Sequence, residues 1–183
     1  MSPYIELVSG KFFYFLEPKE EDFVIQDIAH ALANTCRFTG HCNRFYSVAE
    51  HSVHVSNLLN GTGLELDGLL HDASEAYLPD VASPIKQFLP DYNAIEDRLL
   101  KAIFSKWGLE YPFHPAVKHC DLVMLSTEAH FLLPSQGNVW DLWDYRKRPP
   151  VAAGTKPSCV EPSVAETMFL ERFYELTECK MMS

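Results

Sequence analysis

The sequence lacks three features that would each assign a broad class of protein: a long apolar run, an excess of basic residues and closely spaced cysteine pairs. Its apolar runs fall short of the roughly 18 to 20 residues that span a bilayer. The first residues, MSPYIELVSG, contain no basic region followed by an apolar one. We therefore expect no membrane contact and no export. This places the protein in the cytoplasm, that of a host cell if a phage encodes it.

Acidic residues outnumber basic ones, with 25 Asp and Glu against 15 Lys and Arg and a net charge of -10. This balance disfavours binding of duplex nucleic acid through a broad basic surface, although a few local cations can still hold a small anion. The five cysteines form no Cys-x-x-Cys pair, so reduced thiols are expected rather than a disulfide framework or a zinc ribbon. Five of the eight histidines fall within the first 71 residues, which prompts a search for metal ligands.

Helical periodicity dominates the chain and predicts an all-α fold, a helical bundle with a short N-terminal β-hairpin in residues 1–16. Ser47-Val48-Ala49-Glu50 matches a capping box, which predicts that a helix begins there. A further helix is expected from Leu64 to about Leu78. The length fits a single domain over residues 1–183. The remaining predicted elements are helices over about 22–36, 91–107, 115–133 and 163–179, and a long connection over 135–162.

The stretch GLLHDASEAYLPD places several ionisable residues inside an apolar segment. In a helix, His71, Asp72 and Glu75 share one edge because they are three or four residues apart. His51 lies on the preceding predicted helix, and Asp121 lies in the apolar helix HCDLVMLS. Two imidazoles and two carboxylates would form a mixed shell that suits a borderline divalent metal. The alternative for Asp121 is an ion pair with Lys118, three residues earlier.

The order His51, His71-Asp72, Asp121 resembles the H…HD…D signature of the HD-domain metal-dependent phosphohydrolases, whose fold is an all-helical bundle. The residues HDASEAYLPDVASPIK (71–86), RFTGHCNRFYSVAEHSV (37–53) and VKHCDLVMLSTE (117–128) resemble segments of one HD subgroup. That subgroup contains bacterial 5′-deoxynucleotidases and phage dATP triphosphohydrolases. The resemblance covers about residues 1–133.

The resemblance implies a role for each matching position. His51, His71, Asp72 and Asp121 would hold one divalent ion, such as Mn²⁺, Co²⁺, Zn²⁺ or Mg²⁺, and Glu75 would be the catalytic carboxylate. The implied substrate-binding residues are Arg37, Lys86 and Lys118 for phosphate, Phe38 and Gly40 near the base, Asp80 near the deoxyribose 3′-hydroxyl, Pro84 in the same loop, and His41. Phe38 is equally compatible with the core, and His41 with support of the Gly40 turn. His54 is interpreted as a packed histidine rather than a fifth ligand.

The function that follows from the resemblance is metal-dependent hydrolysis of deoxynucleoside phosphates. The first expectation is hydrolysis of dATP to deoxyadenosine and triphosphate, and the near alternative is a 5′-deoxynucleotidase that acts on deoxynucleoside monophosphates. A non-catalytic protein that binds metal or nucleotide is the alternative from a different class. An oligonucleotide-cleaving nuclease is disfavoured because the chain offers no long basic track. The resemblance also implies a homo-oligomer.

Overall fold

The computed structural model describes residues 3–138, 151–152 and 154–181, with the backbone alone for 179–181. The described chain is mostly helical and begins with a two-stranded hairpin, as predicted. The strands are β1 (Tyr4–Glu6) and β2 (Phe12–Tyr14), and the helices are α1 (Ile25–Asn34), α2 (Val48–Leu58), α3 (Glu65–Leu70), α4 (Ser83–Lys86), α5 (Pro90–Lys106), α6 (Pro115–Leu132) and α7 (Pro162–Met181). Short 3₁₀ turns cover Glu20–Asp22, Phe38–Gly40 and Ala73–Ala76. None of the helices in the described ranges is long and apolar enough to cross a membrane.

The hairpin is antiparallel and pairs Ile5 with Phe13. Gly10 has a φ of +80°, a left-handed conformation that glycine adopts readily, and it closes the turn. Phe13 is fully buried and stacks on Tyr77 with 4.1 Å between the ring centroids. The hairpin is therefore anchored to the helical body beside the 3₁₀ turn that carries Glu75.

The main core lies where α1, α2, α3 and α7 pack together. Helix α1 buries the face formed by Ile28, Ala29 and Leu32, whose spacing of three and four residues follows the helical repeat. Helix α7 contributes Ala165, Phe169 and Phe173 to the same core. Residues near both ends of the chain therefore support α2, the helix that carries His51.

The predicted capping box at Ser47 is confirmed in one half only. The Ser47 side chain accepts a hydrogen bond from the backbone N–H of Glu50 at 3.1 Å. The Glu50 carboxylate does not return to Ser47. It accepts instead from the backbone N–H groups of Ser158, Cys159 and Val160 at 2.6, 3.1 and 3.0 Å. The Glu50 side chain therefore links the start of α2 to a segment more than 100 residues later in the chain.

The single predicted helix from Leu64 to Leu78 is wrong. Helix α3 ends at Leu70, His71 caps it, and the chain continues as the 3₁₀ turn Ala73–Ala76. His71 keeps α-helical backbone angles, and the chain leaves the α-conformation at Asp72, which has a φ of -105° and a ψ of 15°. His71 and Glu75 therefore do not occupy adjacent turns of one helix. The other predicted helices have their observed ends within about three residues.

In the predicted long connection of residues 135–162, the residues 139–150 and 153, with Trp140 and Trp143 among them, lie outside the described residues. Its described end carries Pro157, which is buried, and the three N–H groups bound by Glu50. That end leads into α7, which begins at Pro162, one residue before the predicted Ser163 cap.

Candidate metal centre and adjoining cavity

Three of the predicted metal ligands meet at one buried point. The ligand atoms of His51, His71 and Asp121 all lie within 4.8 Å of one another, and this group can hold a metal ion. Nε2 of His51 lies 3.3 Å from Nε2 of His71 and 3.3 Å from Oδ1 of Asp121. Helix α2 supplies His51, the end of α3 supplies His71 and α6 supplies Asp121.

Both imidazoles are oriented by acceptors on their outer sides. The Nδ1–H group of His71 donates to the backbone carbonyl of Gly68 at 2.8 Å, and that of His51 donates to Oε1 of Glu128 at 2.5 Å. A carbonyl or carboxylate oxygen can only accept, so Nδ1 carries a proton in each ring, and Nε2 is the nitrogen that faces the shared centre and would bind a metal once deprotonated. Hydrogen bonds of this kind commonly fix metal-binding histidines.

The fourth predicted ligand, Asp72, lies at the edge of this group. Its Oδ2 is 3.2 Å from Nε2 of His71 and 3.6 Å from Nε2 of His51. It is also 3.6 Å from the guanidinium of Arg37. Burial alone would raise the pKa of Asp72, but the neighbouring His71 holds it well below the usual range. Asp72 is therefore an anion within reach of both imidazoles.

Asp121 shows both arrangements that its sequence context allowed. Its Oδ1 faces His51, while its Oδ2 accepts a hydrogen bond from Nζ of Lys118 at 2.6 Å. The Lys118 side chain is 60% exposed. The ion pair with Lys118 and a place among the metal-binding donors are therefore not exclusive.

The donor set fits a divalent cation. Two neutral imidazole nitrogens with carboxylate oxygens suit the borderline metals from Mn²⁺ to Zn²⁺. Without a bound ion, burial lowers the pKa of His71 but Asp72 and Asp121 raise it to about 10, so both of its ring nitrogens then carry protons and a metal ion would displace the proton on Nε2. The field of these two carboxylates stabilises a cation at the point where the three ligand atoms meet.

The metal-binding group opens onto a cavity of about 870 Å³. This volume falls in the range of about 300 to 1,000 Å³ that is typical of small-molecule sites. Ten of the thirteen predicted site residues line it: Arg37, Phe38, His41, Asp72, Glu75, Asp80, Pro84, Lys86, Lys118 and Asp121. His51 and His71 are almost fully buried, and Gly40 is exposed without lining the cavity.

Glu75 reaches the cavity from the 3₁₀ turn that follows Asp72. Its side chain is buried, its Oε2 has no hydrogen-bond partner among the described residues, and its Oε1 lies 3.8 Å from Nζ of Lys86. Burial, together with the charges of Asp72 and Asp80, raises the pKa of Glu75 well above the usual glutamate value. A carboxyl group with such a pKa can exchange protons near neutral pH.

The three predicted phosphate-binding cations all face the cavity, and each is already paired with an acidic residue. Arg37 donates from Nε to Glu128 at 3.0 Å, Lys86 donates to Glu96 at 2.7 Å, and Lys118 is bound to Asp121. The charge of each cation is therefore partly balanced within the protein.

The loop that links Arg37 to His41 has an unusual backbone. Phe38 and Thr39 have φ values of +54° and +53°, and Gly40 follows at +80°. Left-handed conformations cost a residue other than glycine about 1 to 2 kcal/mol, and such strain tends to cluster at ligand sites. The loop places the half-buried Phe38 and the exposed His41 at the cavity wall, and the Arg37 guanidinium lies 5.7 Å from the centre of the Phe38 ring.

Two parts of the site were not assigned from the sequence. Glu128 is fully buried and contacts His51, Arg37 and Tyr46. A charged residue in the apolar end of α6, seven residues after Asp121, was the signal that could have found it. The apolar wall is the second part. It is formed by Leu122 and Leu125, which follow the helical repeat from Lys118 and Asp121 along α6, and by Leu133, the residue that caps the C-terminal end of that helix.

Comparison with known proteins identifies relatives. The chain is 38% identical over 177 residues to the uncharacterized protein YfdR of Escherichia coli strain K12, a match that covers 97% of both chains. The chain belongs to the YfdR family. An uncharacterized protein of Rhodobacter capsulatus is 36% identical over 136 residues, which is 67% of this chain and 69% of the relative. No protein-family model matches the sequence. The match to YfdR spans nearly the whole chain.

Proposed function

We propose that this chain is a divalent-metal-dependent phosphohydrolase of the HD type that acts on deoxynucleoside phosphates. One observation carries the proposal: a buried group of two histidines and an aspartate opens onto a cavity that also contains three cations and a buried glutamate. Metal, cations and a proton acceptor are the parts that hydrolysis of a phosphate ester requires. The sequence order of these residues, which resembles the HD signature, adds independent support.

Glu75 is proposed to move the proton. A bound divalent ion would polarise a phosphorus–oxygen bond and lower the pKa of a nearby water molecule. The unpaired Oε2 of Glu75 can accept a proton from the attacking water and pass it to the leaving group. The raised pKa of Glu75 brings its protonation equilibrium closer to neutral pH.

The cations are proposed to hold the phosphate chain. Arg37 is fixed by Glu128 and lines the cavity. Lys118 is partly exposed and is hydrogen-bonded to Asp121. A phosphate bound to a metal ion at this group would lie close to Lys118. Lys86 also lines the cavity, with its Nζ 3.8 Å from Oε1 of Glu75. Their convergence accounts for how a chain of net charge -10 can bind a polyanion.

The apolar part of the cavity is proposed to receive the nucleobase. Phe38 on one side and the wall of Leu122, Leu125 and Leu133 on the other present aromatic and aliphatic surface. A base can stack on a phenylalanine with little dependence on its identity. Asp80 lies in the same cavity and is proposed to accept a hydrogen bond from the deoxyribose 3′-hydroxyl. The first candidate reaction is hydrolysis of dATP to deoxyadenosine and triphosphate.

A 5′-deoxynucleotidase is the second candidate, and one observation favours it. Arg37, Lys86 and Lys118 are each paired with a carboxylate, so less net positive charge faces the ligand than three free cations would provide. A monophosphate needs fewer cations than a triphosphate. A triphosphate would have to draw more of these cations away from their carboxylate partners than a monophosphate would.

The experiment that tests the proposal is a hydrolysis panel. All dNTPs, NTPs and dNMPs are incubated with the protein and Mn²⁺, Co²⁺, Mg²⁺ or Zn²⁺, and the products are separated by chromatography. Release of intact triphosphate from dATP supports the first candidate. Orthophosphate from dAMP as the only efficient product would instead establish the nucleotidase.

The matched variant is Glu75→Gln, which preserves shape and removes the proton-transfer group. We expect loss of turnover by about 10²- to 10⁴-fold, the usual contribution of a general acid or base, with metal still bound. Unchanged hydrolysis in this variant would remove Glu75 from the mechanism. A protein that binds metal and nucleotide tightly but hydrolyses none of the panel would favour the non-catalytic alternative.

A further inference from the structure

Glu128 is a fully buried carboxylate that joins three segments of the chain. Its Oε1 accepts from Nδ1–H of His51 at 2.5 Å and from the hydroxyl of Tyr46 at 2.9 Å. Its Oε2 accepts from Nε–H of Arg37 at 3.0 Å. The buried carboxylate of Glu128 therefore accepts from three donors, and one of these donors is the cationic guanidinium of Arg37.

We propose that Glu128 is a positioning residue that aligns a metal ligand and a phosphate-binding cation together. Through His51 it directs Nε2 to the metal-binding group, and through Arg37 it holds the guanidinium against the cavity. The role toward Arg37 rests on the proposed function, whereas the role toward His51 rests only on the metal-binding group.

The histidine arm works through the choice of tautomer. A neutral imidazole has one N–H group and one lone pair, and only the nitrogen with the lone pair can bind a metal. The Glu128 carboxylate cannot donate, so it selects the form of His51 with the proton on Nδ1. Nε2, which lies 3.3 Å from Oδ1 of Asp121, is then free to bind the ion. Carboxylate partners of metal-binding histidines typically change metal affinity by about 10- to 100-fold when they are removed.

The arginine arm works through orientation. Nε of Arg37 is occupied by Glu128, and one terminal nitrogen lies 3.6 Å from Oδ2 of Asp72. Only the outer edge of the guanidinium can therefore face a ligand, and Arg37 as a whole is 8% exposed. A guanidinium that is already held in place loses little side-chain freedom when it binds a phosphate.

Glutamine at position 128 cannot satisfy both arms. Its amide has one acceptor oxygen and one donor NH₂ group. If the NH₂ group faces Arg37, two donors oppose each other and the guanidinium loses its anchor. If it faces His51, Nδ1 must become the acceptor, the proton moves to Nε2, and that nitrogen can no longer bind a metal. Either orientation damages one arm.

The test measures metal binding separately from activity. Mn²⁺ is titrated into wild-type protein, Glu128→Gln and Tyr46→Phe, with affinity measured by calorimetry and folding monitored by circular dichroism. Tyr46→Phe is the matched control, since it removes one hydrogen bond to the same carboxylate and leaves His51 and Arg37 in place. We expect the Mn²⁺ affinity of Glu128→Gln to fall by about 10- to 100-fold and that of Tyr46→Phe to change by less than about three-fold. A folded Glu128→Gln protein with wild-type Mn²⁺ affinity and a wild-type KM would overturn the proposal.

A second measurement requires no substitution and therefore does not depend on the variant folding. Ring nitrogen shifts of ¹⁵N-labelled wild-type protein loaded with diamagnetic Zn²⁺ report which nitrogen of His51 carries the proton. The proposal requires the proton on Nδ1, and a proton on Nε2 would overturn it. Both readouts remain valid if no phosphate ester is hydrolysed, so failure of the proposed function is distinguishable from failure of this inference.

Discussion

Lys118 and Asp121 form a 2.6 Å hydrogen-bonded ion pair through Oδ2, the oxygen of Asp121 that faces away from His51. Lys118 therefore stabilises the carboxylate of Asp121, which also belongs to the candidate metal-binding group. Its positive charge lies next to the point where a metal ion would bind. A metal ion and the lysine would repel each other there, whereas a phosphate would be attracted by both.

Lys118→Met is expected to separate these two effects. Because it removes a cation next to the metal-binding group, Mn²⁺ affinity should rise, by about two- to five-fold given the strength of exposed ion pairs. The KM for the phosphate substrate should rise as well, since one cation is lost from the cavity. The check is a calorimetric Mn²⁺ titration combined with steady-state kinetics, with the exposed Lys101→Met as control. Weaker Mn²⁺ binding in Lys118→Met would show that the lysine supports the metal site instead.

The Glu75 carboxyl is expected to make the stability of the metal-free protein fall with rising pH. Burial and the neighbouring Asp72 and Asp80 raise its pKa in the folded state, so the folded chain retains a proton that the unfolded chain releases above about pH 4.3. Stability decreases wherever the folded state binds more protons than the unfolded state. Glu75→Gln cannot lose this proton, so its advantage in the free energy of unfolding should increase with pH. Urea unfolding in EDTA at pH 5 and pH 8 measures the difference, and an equal advantage at both values would contradict it.

Glu50 is expected to be a major stabilising residue although it lies next to His51, a proposed metal ligand. It accepts from three consecutive backbone N–H groups, those of Ser158, Cys159 and Val160. Glu50→Ala leaves these donors without their acceptor, at about 1 to 3 kcal/mol for each one that water does not reach. Urea unfolding should show the loss, and amide hydrogen exchange should accelerate at 158–160. The exposed Glu171→Gln on α7 is the control and should change stability by less than about 0.5 kcal/mol.

Gly68 is expected to be intolerant of a side chain because α2 and α3 approach closely there. A Cβ atom at this position would lie 2.5 Å from Cδ1 of Leu59 and 3.2 Å from Cα of Ser56. Gly68→Ala should destabilise the protein by about 1 to 3 kcal/mol, as overpacking commonly does. It should also weaken Mn²⁺ binding, because the Gly68 carbonyl orients His71.

The double variant Gly68→Ala, Leu59→Ala tests the cause of this effect. Removing the Leu59 side chain relieves the closest contact, although the Ser56 backbone remains near. We expect Mn²⁺ affinity to recover in part relative to Gly68→Ala, while stability stays low because of the cavity left by Leu59. No recovery of metal affinity would place the fault elsewhere than in this contact.

The donors of the metal-binding group could be predicted because their pattern is local. The adjacent pair His71-Asp72, a histidine on the helix before it and an acid in the apolar α6 are each visible in a short stretch of sequence. The cavity-lining residues from Arg37 to Lys118 came from resemblance to whole segments, and ten of the thirteen assigned positions line one cavity.

The parts that escaped prediction depend on contacts between distant segments. The sequence around Glu50 predicts that its side chain caps its own helix. The carboxylate instead binds the backbone N–H groups of residues 158–160, which no local pattern indicates. The end of α3 at Leu70 likewise carries no proline or glycine signal, although the chain leaves the α-conformation two residues later, at Asp72. Glu128 was not assigned from the sequence, because its three partners lie 77 or more residues earlier in the chain.

The contact between Glu50 and Ser158 also has a consequence for the order in which the protein matures. During synthesis α2, with His51, emerges from the ribosome more than 100 residues before the three amides that bind Glu50. Helix α7, which completes the core around α2, follows later still. The candidate metal-binding group can therefore reach its final rigidity only after residues 158–160 and α7 have been synthesised, and a shorter nascent chain is expected to hold a metal ion weakly.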